Sequence, residues 1–255
     1  MKKLTLLLLA LLYVTLTYAY TERDLLQKQA DINRLKEILV LDRQWVTYPD
    51  YNDRAGWDRF LGTFKDEYIR RGEKRLNYQW QVVKATDYLA FERTGNRQIM
   101  EKPFGANNGA IADLLMAELA EGKGRFVDQL INGVFNACEM TSWALAAHII
   151  VQPSHRALPA YDYPVIDLTS GDLGGLLAWT YHFMRPSFDK VDPEISRRLR
   201  HELQTRILDP YMNNDSFWWM GRNYNGRMLN NWNPWCNSNA LMCFMLLEDN
   251  RDTLA

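Results

Sequence analysis

The sequence predicts an all-α chain, with helical hairpins layered into an incomplete toroid, and three observations point there. Apolar residues recur at helical spacing along most of the chain beyond Tyr20. Helix-start signals, an Asp or Asn followed by proline, stand at Asp192-Pro193 and Asn233-Pro234. No convincing run of alternating apolar and polar residues marks a strand. With 255 residues, 47% of them apolar, the chain can bury a sizeable core.

Residues 1–19 read as a signal peptide rather than as part of the fold. Lys2 and Lys3 precede an apolar stretch of thirteen residues, Leu4 to Leu16, and Thr17-Tyr18-Ala19 puts small residues at a cleavage site. The stretch is shorter than the ~20 apolar residues that span a bilayer. The expected destination is therefore the periplasm or the medium, with no membrane attachment after cleavage. Removing this segment takes away two lysines and no acid, leaving a net charge of −3. Such a balance excludes a nucleic-acid partner recruited by bulk charge.

Residues 20–255 read as one helical domain, since no low-complexity linker divides them. Leu25, Ile32, Leu35 and Leu39 set the first stripe; Ile111, Leu114, Leu115 and Leu119 set another. Phe126 to Ile150 is apolar nearly all round and predicts one helix buried on most sides. Gln152 to Thr169, rich in Pro and Tyr, reads as irregular. Ile195, Leu199, Leu203 and Ile207 form a stripe that begins at Asp192-Pro193 and is expected to end at Pro210. A last helix is expected from Pro234 through Leu247, with Asn233 as its N-cap. The chain then stops at Ala255 with no closing element, so a C-terminal truncation is expected.

Cys138, Cys236 and Cys243 are an odd set in apolar surroundings and are expected to be buried free thiols. No metal-binding or phosphate-binding motif is present, so neither a metal nor a cofactor is expected.

The chemistry-bearing region runs from Tyr211 to Asn239, where seven Trp, Tyr and Phe residues stand among nine Asn. Amides that bond hydroxyls, beside rings that cover C–H faces, are what a sugar cleft needs. Trp232 and Trp235 flank a helix start and are candidate substrate contacts, with Tyr224, Asn237 and Arg222 beside them. Trp218 and Trp219 suit a core as well as a cleft. The helix start itself favours an anionic ligand. Asn231, not needed for capping, is free to point outward. A second constellation is Cys138-Glu139-Met140-Thr141-Ser142-Trp143 with His148. Glu139 and Trp143 share a helical face at i, i+4, which adds Trp143 to the cleft candidates. A carboxylate in so apolar a helix needs a partner or a raised pKa. Glu139 and His148, nine residues apart, can serve one site only if the helix breaks between them.

These segments resemble heparinase II/III-like proteins. Cys138 to Trp143 with His148 is similar to that family's C-E-x-[ST]-S-W…H segment. Tyr163-Pro164-Val165-Ile166-Asp167-Leu168, Leu176-Leu177-Ala178-Trp179 and Asn230 to Asn239 are similar to further segments, in the same order. The resemblance covers the chain from about Trp45 onward. It implies an α/α toroid followed by a β domain, and polysaccharide lyase activity in a bacterial export compartment. It also implies Asn231 as the residue that neutralises a uronate carboxylate, His148 in proton transfer and Glu139 as a cleft hydrogen-bonder. A catalytic tyrosine and the β domain would follow Ala255. Where the family carries a proline ahead of the His region, this chain has Ala146-Ala147, which weakens the expected helix break.

The function expected is β-elimination on a uronic-acid-containing polysaccharide. A glycan-binding toroid without catalysis is a second reading. A glycoside hydrolase is a third, for which Glu139 and Asp172 are the available carboxylates.

Overall fold

The structure, a computed structural model, describes residues 28–221 and 229–255. The described residues are helices joined by turns and coil, with no strand among them. The chain is all-α, and none of these helices is long and apolar enough to cross a membrane. The 1–19 segment, Arg222 and Tyr224 lie outside the described residues.

Two compact units are present. The smaller joins the described residues up to Leu39 to Arg251–Thr253 and Ala255. Its helix α1, Ile32–Ile38, is capped by Asp31, whose carboxylate accepts from the N–H groups of Asn33 and Arg34. Lys36 pairs with Asp252 at 2.8 Å, and Arg251 donates to the Lys36 carbonyl. No residue of α1 is buried, so the stripe through Ile32 and Leu35 lies open.

The larger unit is built on two long helices. In chain order its elements are α2 (Arg54–Leu61), α3 (Lys65–Glu73), α4 (Ala85–Thr94), α5 (Gln98–Glu121), α6 (Val127–Glu139) and α7 (Ala146–Ile149). There follow α8 (Leu168–Val191), α9 (Pro193–Leu203), α10 (Asp209–Asn213) and α11 (Trp232–Leu247); the short α12 (Arg251–Leu254) belongs, but for Leu254, to the smaller unit. Helices α5 and α8, of 24 residues each, extend about 36 Å at 1.5 Å per residue. Helices α2, α3, α4 and α6 pack on α5, while α9 and α11 pack on α8. Ile111, Leu114, Leu177, Leu199, Leu203 and Ile207 are at most 0% exposed in the core between them.

Helix α8 turns back into α9 through the single residue Asp192. Its side chain accepts from Glu194 N–H, and Pro193 opens the next helix as the sequence predicts. Helices α8 and α11 run in parallel: Gly171 faces Asn239, and Gly174 faces Cys243 one turn further along both. Glycine permits the approach, since a Cβ on Gly175 would sit 2.9 Å from Asn239 Oδ1 of α11. The N-terminal ends of α8 and α11 therefore meet at one end of the bundle.

Three sequence expectations are corrected here. Phe126–Ile150 is not one helix: α6 stops at Glu139, and Met140 turns extended (ψ 140°) before α7. Trp143 Nε1 donates to the Ala137 carbonyl at 2.8 Å, and Arg206 donates to the carbonyls of Cys138 and Thr141. These donors satisfy carbonyls that a continuing helix would have bonded. Trp143 thus leaves the helical face it was to share with Glu139. Pro210 does not end its helix. A π turn over Gln204–Leu208 precedes it, with Asp209 N–H donating to Gln204 O, and the widened turn accommodates a ring that lacks a donor. The last helix begins at Trp232 rather than Pro234, and its N-cap is Asn231 rather than Asn233.

Candidate functional site

The site is assembled around the N-cap of α8. Val165 and Ile166 are buried and anchor the extended chain that leads into it. Asp167 forms a capping box with Ser170: its Oδ1 accepts from Ser170 N–H at 2.7 Å, and Ser170 Oγ accepts from Asp167 N–H at 2.7 Å. Asp167 is fully buried. Its second oxygen, Oδ2, accepts from Leu145 N–H at 3.1 Å and lies 2.6 Å from His148 Nδ1. Thr169 Oγ1 reaches both oxygens, at 3.0 and 3.1 Å. The cap of one helix is thus also the anchor of α7, which carries His148.

The other face of the imidazole looks outward. Arg97 Nη2 is 3.4 Å from His148 Nε2, and the same guanidinium pairs with Glu101 at 2.6 Å. The ring of Trp232 meets the His148 ring edge-on, with centroids 4.7 Å apart. Trp218 lies against Trp232 with centroids 5.4 Å apart. Asn231, one residue before Trp232, is exposed, and its side chain makes no cap hydrogen bond. Capping falls instead to Asn230, whose Oδ1 accepts from Trp232 N–H at 3.0 Å.

The rim continues along α8 and α11. Trp235, 42% exposed, donates through Nε1 to Asp172 Oδ1 at 2.6 Å, and Asn239 Nδ2 donates to the same oxygen at 3.0 Å. Asn237 Oδ1 accepts from Tyr211 OH at 2.9 Å. Asn233 Nδ2 donates to the Trp219 carbonyl at 2.6 Å, tying the segment around Trp219 to α11. Trp219 is core: it is 1% exposed, stacks on Phe217 and donates to Ile166 O.

Of the residues singled out in the sequence, the structure sets His148 against Trp232, with the exposed Asn231 next to Trp232 in the chain; Trp235 bonds Asp172 and Asn237 bonds Tyr211. Glu139 is not with them. It is exposed at the C-terminal end of α6 and pairs with Arg198 of α9 at 3.1 Å. That guanidinium also holds the buried Glu202, at 2.9 Å, beside Arg206 at 2.6 Å. The carboxylate expected to sit in an apolar helix found its partner at that helix's end. Trp143 is not a stacking surface either, being 2% exposed with Arg206 over its ring. All three cysteines are buried free thiols, and burial pushes each thiol up to about 12.

Two residues of the site, Asp167 and Arg97, carried no role in the sequence reading. Asp167 was legible as a helix cap, an Asp three residues ahead of Ser170 after an apolar run. Arg97 had no signal, standing 51 residues from the histidine it faces.

No protein-family model matches the chain, and no curated protein matches it.

Proposed function

We propose that this chain is an exported polysaccharide lyase-like protein that cleaves a uronic-acid-containing polysaccharide by β-elimination. The observation that carries this reading is His148, held from behind by the buried Asp167 and set against Trp232, one residue from the exposed Asn231. In an elimination the uronate carboxylate is neutralised, the C5 proton goes to a base, and O4 leaves with the electron pair of the C4–O4 bond. Asn231 donates its amide to the carboxylate, and His148 Nε2 takes the C5 proton. The departing O4 takes its proton from water or from the phenol that the resemblance to the heparinase II/III-like family implies.

The start of α8 is already occupied by the Asp167 carboxylate, and Arg97 is paired with Glu101. The feature at this end of the bundle that favours an anionic substrate is therefore the start of α11, where the Asn231 side chain does not cap the helix. The half-buried and exposed faces of Trp218, Trp232 and Trp235 offer stacking surfaces for sugar rings. The parallel pairing of α8 and α11, with α9 returning antiparallel beside them, is in keeping with an incomplete α/α toroid. Hydrolysis is less well served, because Glu139 is engaged by Arg198 and Asp172 by Trp235 and Asn239.

Asn231→Ala is expected to abolish turnover of a polyuronate at an unchanged melting temperature. Full turnover in that variant would remove Asn231 from the mechanism. Trp232→Ala is expected to weaken binding of the same polymer by on the order of tenfold, about 1.4 kcal/mol. Binding by the parent protein without any turnover would favour the glycan-binding reading instead.

A further inference from the structure

We propose that Asp167 is a positioning residue that fixes His148 as its Nδ1–H tautomer, leaving the Nε2 lone pair as the site's proton acceptor. The proposal rests on the reading of His148 as the base of an elimination. Two independent contacts lead to it, one at each ring nitrogen.

At Nδ1, the partner is a buried carboxylate already committed as an acceptor. The oxygen 2.6 Å from Nδ1 also accepts from Leu145 N–H, and the other oxygen accepts from Ser170 N–H. The proton of the short contact therefore sits on Nδ1. At Nε2, the neighbour at 3.4 Å is the Arg97 guanidinium, which has donors and no acceptor. Only a nitrogen with a free lone pair faces such a group favourably. Both contacts select the same tautomer.

The consequence is a division of labour within the ring. His148 Nε2 gains the proton as the substrate's C5–H bond breaks. The C5–H electron pair becomes the C4=C5 double bond, and the C4–O4 bond breaks with its pair going to O4. O4 then takes a proton from water or from the phenol named above. Asp167 takes no proton; it holds the ring and stabilises the imidazolium that forms. Trp232 closes the ring's flank and keeps Nε2 aimed outward.

Asp167→Asn separates this role from capping. An Asn can keep its oxygen toward Ser170 N–H, which preserves the helix cap, while placing NH₂ where Oδ2 faced Nδ1, at the loss of the hydrogen bond from Leu145 N–H. An NH₂ there needs a bare Nδ1 and so forces the Nε2–H tautomer. The experiment is long-range ¹⁵N–¹H NMR of the full chain at a pH where the imidazole is neutral, with the His148 signal identified by its loss in His148→Gln. The wild type is expected to show a protonated Nδ1 and a bare Nε2, and Asp167→Asn the reverse. An Nε2–H tautomer in the wild type overturns the proposal, as does an unchanged Nδ1–H in folded Asp167→Asn. Should Asp167→Asn not fold, the wild-type tautomer alone decides. A polyuronate digest without unsaturated product, beside the expected tautomer, would overturn the lyase reading and leave the hold of Asp167 on His148 in place.

Discussion

Single side chains here serve two neighbours at once, and the site depends on that economy. The Asp167 carboxylate caps α8 and anchors α7; Arg206 ends α6 and neutralises Glu202; Asn233 lies within α11 and pins Trp219. The three thiols have a simpler role. Burial raises each to about 12, so the folded state favours the protonated form. Their contribution to stability is whole below the ordinary value of 9.0 and is lost as pH rises toward about 12. A thiol reagent at pH 8 is therefore expected to label none of them in the native protein and all three in denaturant. Labelling of the native chain at Cys243 would contradict its burial. These thiols could be read from sequence because apolar neighbours alone decide their fate. The partner of Glu139 could not, because Arg198 lies 59 positions away and nothing local points to it.

At the scale of elements, sequence patterns located helices well and their ends poorly. Asp192-Pro193 announced a cap that the structure contains, since the signal and its effect lie within three residues. Asp192→Ala is expected to cost about 1 kcal/mol in chemical denaturation. The break after Glu139 was concealed because its cause is remote: Arg206 reaches Cys138 O across 68 residues. Pro210 misled for a related reason, as the π turn ahead of it is a tertiary accommodation and carries no local signature. The parallel contact of α8 and α11 is the element pair on which the site's geometry depends. Gly175→Ala would press a methyl against Asn239 of α11, and an overpacking loss of about 1–3 kcal/mol is expected. An unchanged denaturation midpoint would mean that the two helices separate without cost.

Across the whole molecule, the helical class followed from periodicity, which is summed over many residues and tolerates local error. The candidate site was legible in part. Asn231 and Trp232 stood in a segment dense with Asn and Trp, and His148 a few residues beyond Cys138–Trp143, whereas Asp167 and Arg97 join through folding, 19 and 51 residues from the histidine they flank. The core that brings them together is expected to be sensitive at its centre. Leu199→Ala, at a fully buried position, should cost about 2–5 kcal/mol. Elimination is read most directly by NMR of the products after incubation with a polyuronate. A C4–C5 double bond is expected at the new non-reducing ends. Saturated ends with one water added per cleavage would contradict it, because that is the product of hydrolysis.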